Sequence, residues 1–338
     1  MNNYLVVGAG FAGAVYAREL AEAGNKITVI DRRNHIAGNA YQYVNKHGIT
    51  VHKYGPHLFH TNNMKVVEWL SQFTEWVPYT HKVKAKHTDG KFYTLPVNKE
   101  TKEKIGEENI LDIFFRPYTK KMWGVELDKL NPDIMNRVPI RDDDNELYFP
   151  NDKFQCMPRD GYNKMFENIF DHDNIKVRLN TEFTKSMIYH YDHVFNSMPI
   201  DEFYNYEYGE LPYRSIKFES ITLPEEKIYE TGTTNFTTYT GPTRVTEWKN
   251  IPNHGENKHA TTLTYEYPCD YMDNDMERYY PVKDLNGDND RIYKKYKSNE
   301  NDKVTFIGRC GTYQYLDMHQ VVNQSLVNVR KFIEKGIK

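Results

Sequence analysis

Cysteine is scarce: Cys156, Cys269 and Cys310 are the only three thiols among 338 residues. So few and so scattered, they make neither a disulfide framework nor a Cys-rich zinc site, and they fit a reducing compartment. Long apolar runs are also missing. No window approaches the ~20 apolar residues of a membrane-spanning helix, and Met1 runs almost at once into a strand, with no charged and apolar leader. The expectation is a cytoplasmic protein without membrane insertion. Charge of one sign is lacking too, since 44 basic residues stand against 47 acidic ones for a net charge of −3. No global field then favours nucleic acid or an anionic membrane, and an anionic ligand must be held by a local cluster. Repeats and low-complexity segments are absent. His57 and His60 lie three apart in a Gly-Pro loop without an evident third ligand, so no metal is expected.

What the chain has is length for two or three domains and an unusual 27 tyrosines, whose flat bodies and polar tips suit sugars and nucleobases. It also opens on a dinucleotide pattern. Tyr4 to Val7 form an apolar strand that meets Gly8, Gly10 and Gly13. Gly8 serves a tight turn, Gly10 allows the backbone to approach a pyrophosphate, and Gly13 allows the following helix to pack close to the sheet. That helix, from Gly13 to about Ala23, points unpaired N–H groups and a positive dipole end at the phosphates. A second strand, Ile27 to Ile30, ends in Asp31, twenty-three residues after Gly8, where a carboxylate can accept from ribose hydroxyls. Arg32, Arg33, His35, Ile36, Ala37, Gly38 and Asn39 follow, a basic Gly-Asn turn of the kind that fits a flavin dinucleotide better than a plain nicotinamide crossover.

Further along, Val66, Val67, Leu70 and Phe73 mark an amphipathic helix. His81 to His87 and Lys91 to Val97 read as strands. Asn98 to Asn109 is polar and charged, and Ile110 to Trp123 reads as a helix that Pro117 should kink or divide. A short helix is expected from Pro132 to before Pro139. Gly161 to Phe170 reads as a helix, Ile175 to Leu179 and His193 to Asn196 as strands. Ile216 to Tyr267 has the Thr/Tyr/Phe pattern of antiparallel strands, and Asp284 to Asp290 that of a surface loop. Val304 to Ile307 is a last strand, followed by a helix from about Met318 to Ile333.

Six tracts in order resemble the bacterial UDP-galactopyranose mutase family: Tyr54-Gly-Pro-His57-Leu-Phe-His60-Thr61; Tyr118-Thr-Lys-Lys-Met-Trp123-Gly124; Arg137-Val-Pro-Ile-Arg141 with Tyr148-Phe149; Thr243-Arg244-Val-Thr-Glu247; Tyr279-Tyr280-Pro281; and Gly308-Arg309-Cys-Gly-Thr-Tyr313-Gln-Tyr315-Leu-Asp317-Met. The resemblance spans nearly the whole chain. It implies an α/β fold in three parts. An FAD-binding Rossmann-like domain takes residues 1–77, 157–203 and 302–338, and a small helical domain with a mobile loop takes 98–137. An antiparallel sheet domain takes 78–97, 138–156 and 204–301. The implied activity interconverts UDP-galactopyranose and UDP-galactofuranose through a covalent adduct between the sugar and N5 of reduced flavin. FAD is the implied cofactor, kept reduced by a transient donor such as NADH or NADPH. UDP-galactose or a related UDP-hexose is the implied substrate, and a homodimer is possible in such a family.

Residue by residue, the resemblance implies that Arg137, on the mobile loop, and Arg244 grip the departing diphosphate, a task for which forked, permanently charged donors are suited. Tyr148, Tyr280 and Tyr315 match diphosphate-binding tyrosines. Tyr118, with Thr119, matches the uracil end, where Phe114 and Phe115 also fall. Trp123 matches the border of the sugar pocket, and Asn98 and Asn235 match polar groups near nucleotide and sugar. Arg309 matches a flavin contact whose charge would favour the reduced, anionic ring. His57 and His60 match a loop beside the flavin. Gly8, Gly10, Phe11, Gly13, Asp31, Arg32, Gly38, Asn39, His57, Arg309, Tyr315, Leu316, Asp317 and Met318 make up the expected cofactor site. Ala37 stands where the family usually has the first glycine of a Gly-Gly pair. Two other readings stay open on the residues: a flavin oxidoreductase of the amine-oxidase type, and a nucleotide-sugar-binding flavoprotein without catalysis.

Overall fold

The computed structural model describes residues 1–129, 139–299 and 302–336; Arg137 and the helix expected after Pro132 lie outside the described residues. Strand β1 (Asn3–Val7) is central to a parallel sheet, flanked by β2 (Lys26–Ile30) and β11 (His193–Asn196), with β10 (Ile175–Arg178) and β17 (Val304–Phe306) at the edges. Successive side chains of β1 serve two cores, as the period of a strand dictates. Tyr4 and Val6 pack with helices α1 (Phe11–Glu22), α2 (Met64–Leu70), α5 (Gly161–Phe170) and α9 (Met318–Lys335). Leu5 and Val7 face the other way, into an aromatic cluster with Tyr213, Tyr271, Tyr296 and Tyr313. Near-continuous apolarity in β1 is the mark of a strand covered on both faces.

The larger sheet has seven strands in the order β16 (Tyr280–Pro281), β12 (Tyr213–Leu223), β15 (Thr261–Asp270), β14 (Arg244–Glu247), β13 (Thr233–Phe236), β7 (Val83–Lys86) and β8 (Phe92–Leu95). It departs from the antiparallel expectation at one place, where β13 and β7 run parallel. Those strands come from distant segments, so no hairpin sets their direction. A small sheet of β5 (Phe59–Thr61), β9 (Phe154–Pro158) and β6 (Trp76–Pro78) and a hairpin of β3 (Gln42–Val44) and β4 (Thr50–His52) carry the histidine loop.

Two helices differ from expectation. The polar stretch after Asn98 contains α3 (Lys99–Ile105), capped by the Asn98 side chain accepting from the Thr101 N–H. The Asp284–Asp290 region is a loop only at its start, because α7 (Asp288–Ser298) begins within it and buries Tyr296 against the parallel-sheet cluster. Tyr296 supplied too little periodicity to mark it. Pro117 acts as expected: a π-helical turn, Leu111–Phe115, precedes α4 (Arg116–Trp123), and the proline sits in its first turn, where a missing N–H costs nothing. No described helix is long and apolar enough to cross a membrane.

Candidate functional site

Two neighbouring cavities gather most of the expected site residues. The first, of about 390 Å³, runs along the carboxyl end of the parallel sheet from Gly8 and Gly10 past Asp31, Arg32, Gly38 and Ser197 to Arg278. The second, of about 580 Å³, lies between the seven-stranded sheet, α4 and the 54–60 loop. Asn39, His57, Arg309 and Met318 line both, so the two adjoin one another there.

Backbone crowding shapes the first cavity. Gly8 has φ +102°, and a Cβ there would stand 2.0 Å from Ser197 Oγ. A Cβ on Gly13 would stand 1.9 Å from the Gly8 carbonyl oxygen, which is how α1 comes so close to the strand end. Gly38, at φ +53°, faces Gly10 so that its Cβ would be 2.9 Å from the Gly10 Cα. Ala37 takes the left-handed conformation, φ 71°, that a glycine favours, and donates its N–H to the Ala9 carbonyl at 3.0 Å. Helix α1 starts over this bare backbone with no acidic residue in its first turn, leaving its N–H groups to an anion. These residues fit a dinucleotide. Asp31 is more occupied than expected, accepting from the N–H groups of Ala9 (2.8 Å) and Arg33 (2.9 Å), one on each oxygen. Each carboxylate oxygen keeps a further lone pair for a ribose hydroxyl. Phe11 packs edge-on to Tyr162 and Phe166 at the cavity wall, and Leu316 lines it as well. Asp317 caps α9, its N–H donated to the Gln320 Oε1 at 2.8 Å.

The second cavity is laid across the sheet by strand register. Phe218, Glu266, Arg244, Asn235, Ala85 and Tyr93 pair in succession across β12, β15, β14, β13, β7 and β8, so all six point to one face. Tyr93 and Ala85 support Phe114, while Phe218, Glu266, Arg244 and Asn235 line the cavity. Arg244 donates Nε–H to Glu266 at 2.7 Å, and Glu266 is only 1% exposed. The neighbouring carboxylate outweighs burial and holds the guanidinium well above its usual range. Asn235 Oδ1 and Glu266 Oε1 are buried and, among the described residues, unpartnered.

Tyr118, Thr119 and Trp123 line the cavity from α4, with Phe115 beside them, and Tyr148, Tyr280 and Tyr315 complete its wall. Trp123, Tyr280 and Tyr315 meet edge to face, 5.1–6.3 Å between ring centres. Burial pushes the Tyr280 phenol up to about 12 and raises those of Tyr118 and Tyr148, so all three remain donors at neutral pH. Arg309 sits at the junction, held by the carbonyls of Tyr279 (2.8 Å) and Leu316 (3.1 Å). Burial, with Arg309 and Arg244 nearby, pushes His57 down to about 4. His60 stacks on Phe149 at 3.5 Å and donates Nδ1–H to Asp152 at 2.6 Å.

Two expected contacts stand apart from the cavity. Asn98 caps α3 through Oδ1, with its Nδ2 buried and unpartnered among the described residues, and Phe114 is 8% exposed in the core beneath the helix. In the other direction, Glu266 and Asp152 had no place in the expected site, and Arg33 was expected only as part of the basic turn. Arg33 bonds Asn39 Oδ1 at 2.9 Å, pairs with Glu277 and lies over the Tyr54 ring at 4.3 Å. Glu266 was detectable as a lone carboxylate on the same strand face as Thr264 and Thr262. Asp152 carried no such signal.

A dinucleotide fold whose groove adjoins an arginine- and tyrosine-lined chamber defines a nucleotide-dependent enzyme. Residues 6–73 match the family of NAD(P)-binding Rossmann-like domains, and residues 113–315 match the family described as UDP-galactopyranose mutase. The chain belongs to the UDP-galactopyranose mutase family of isomerases. A probable UDP-galactopyranose mutase of Klebsiella pneumoniae is 36% identical, over 98% of this chain and 94% of the relative. A dTDP-fucopyranose mutase of Escherichia coli is 34% identical over 99% and 100%. In fold, the chain is similar to a crystal structure of reduced UDP-galactopyranose mutase, with a TM-score of 0.73 at 15% identity over 100% and 97% of the two chains.

Proposed function

We propose that the chain binds FAD along the first cavity and, with the flavin reduced, interconverts UDP-galactopyranose and UDP-galactofuranose in the second. The observation that carries this reading is the meeting of the two cavities at Asn39, His57, Arg309 and Met318. A dinucleotide lying over Gly8, Gly10 and the start of α1 would end there. Reduced FAD, when bound, supplies the nucleophile for covalent catalysis, which divides a difficult ring contraction into easier steps.

The chain's own residues prepare the rest. Arg244, oriented by Glu266, turns its remaining guanidinium donors to the diphosphate, and Tyr148, Tyr280 and Tyr315 add phenolic groups. Arg137 is proposed as the second cation. Tyr118, Thr119 and Phe115 form the base end of the cavity, and Trp123 borders the sugar. Neutral His57 adds no charge beside Arg309, which favours an anionic ring at the junction. With Nδ1–H directed to Asp152, His60 has Nε2 left as the atom able to receive a sugar hydroxyl proton and return it.

A second reading, dTDP-fucopyranose as substrate, draws on the Escherichia coli relative. Dithionite-reduced enzyme incubated with UDP-galactofuranose and with dTDP-fucofuranose, followed by chromatography, separates the two. UDP-galactopyranose is the expected product. Its absence would defeat the first reading, and equal turnover by oxidised enzyme would defeat the role of reduced flavin.

A further inference from the structure

Two histidines buried behind the junction belong to neither cavity. His52 ends β4 and is 0% exposed; His254 lies in the loop after Ile251 and is 5% exposed. The His57 peptide N–H lies 3.1 Å from His52 Nδ1. A peptide N–H can only donate, so Nδ1 accepts and the neutral His52 ring carries its proton on Nε2. That atom is 2.9 Å from His254 Nε2, which must accept in turn. His254 then holds its proton on Nδ1, 2.8 Å from the Pro252 carbonyl oxygen. The series starts at a donor and ends at an acceptor, so each ring has one permitted tautomer.

The surroundings keep the pair dry and uncharged. Trp248 lies against both rings, with centres 4.9 Å from His52 and 5.9 Å from His254. Tyr162 meets His52 edge-on at 5.8 Å and donates its hydroxyl to the His57 carbonyl at 2.9 Å. The His57 peptide is therefore held on both sides. Arg309 and Arg244 act on this assembly through His57, and Arg244 is itself paired with the Glu266 carboxylate at 2.7 Å. Burial lowers His52 and pushes His254 down to about 4.

An added proton breaks the series wherever it lands. On His52 Nδ1 it displaces the His57 N–H; on His254 Nε2 it sets one N–H against another. We infer that His52 and His254 are positioning residues that lock the His57 peptide at the junction of the two cavities, and that one added proton releases it. The consequence for FAD rests on the reading of that junction given above; the tautomer series does not.

Long-range proton–nitrogen spectra of the 15N-labelled, FAD-loaded protein from pH 8 to pH 4 test the lock directly. The expected result is Nε2–H on His52 and Nδ1–H on His254, both neutral until the pH nears about 4, with flavin fluorescence rising as they protonate. The opposite tautomers, or an imidazolium in the pair at pH 6, would overturn the inference. His254→Gln keeps an acceptor and should retain FAD at pH 7, whereas His254→Leu should release it about tenfold faster. Equal retention by the leucine variant would also overturn it, and if that variant does not fold, the spectra of the unaltered protein decide. Neither readout needs a sugar nucleotide, so failure of the mutase assay and failure of the lock are distinguishable.

Discussion

Replacing Arg244 by Met should do two separable things. The first is structural: Glu266 is 1% exposed and has the Arg244 Nε as its close cationic partner at 2.7 Å. Removing one member of such a pair leaves a buried, uncompensated charge, which costs about 3–5 kcal/mol. The second concerns binding, where the lost charged hydrogen bonds to a diphosphate are each worth about 1.5–3 kcal/mol, equivalent to roughly 10- to 150-fold in affinity. Adding Glu266→Gln removes the stranded charge and should restore most of the stability while leaving UDP binding weak. Urea denaturation reads the first effect and calorimetric titration of the FAD-loaded protein with UDP reads the second. Unchanged UDP affinity in Arg244→Met would refute the binding role. Full recovery of UDP affinity in the double variant would refute the separation of the two.

Asp152→Asn should lower kcat by about 10²-fold, the scale of general acid–base assistance, with UDP affinity nearly unchanged; an unaltered kcat would remove the dyad from proton transfer. Gly13→Ala, whose Cβ would meet the Gly8 oxygen at 1.9 Å, should abolish FAD binding, and a variant that still copurifies with flavin would contradict the geometry. Ala37→Gly should raise stability by up to about 1 kcal/mol in thermal melts, since relief of the left-handed alanine exceeds the extra chain entropy. His193 and His254 are both pushed down to about 4 by burial. As pH falls below the ordinary value near 6.5, the unfolded chain takes up these protons first. Stability should therefore decline between pH ~6.5 and ~4, by at most about 3 kcal/mol per group, and level off below. Urea midpoints at pH 7 and 4.5 that rise instead would contradict this.

The opening of the chain was legible because short-range patterns carried it. The apolar β1, the three glycines and Asp31 each answer to a local demand, and the structure meets them in one turn. Pro117 likewise announced the break in its helix. The small β5–β9–β6 sheet was not legible, since its strands of three to five residues hold too few alternations to show a period. Helix α7 was hidden behind Asn286-Gly287, a turn signal that lies just ahead of its first residue. At the site, the tyrosines and Arg244 stood out through ordered motifs. Asp152 and the His52–His254 pair gain meaning only from partners 92 and 202 residues away, distances that no local pattern spans, and Glu266 stands out in its own strand but takes its role from Arg244, 22 residues away. Asn98 shows the converse: a residue in a suggestive place whose carbonyl oxygen serves a helix end while its NH2 group stays buried and unpartnered among the described residues.

The row from Phe218 to Tyr93 has a bearing on how this chamber can change. Because six strands contribute one residue each to a single line, gain or loss of one residue inside any of them would rotate its contribution to the opposite side of the sheet. Connections between strands carry no such penalty. Length variation among relatives should accumulate in the turns, while the spacing from Asn235 to Phe236 and from Arg244 to Glu247 stays immovable. Specificity for a different sugar nucleotide is then reached by exchanging side chains along that line, leaving the ruler itself unchanged.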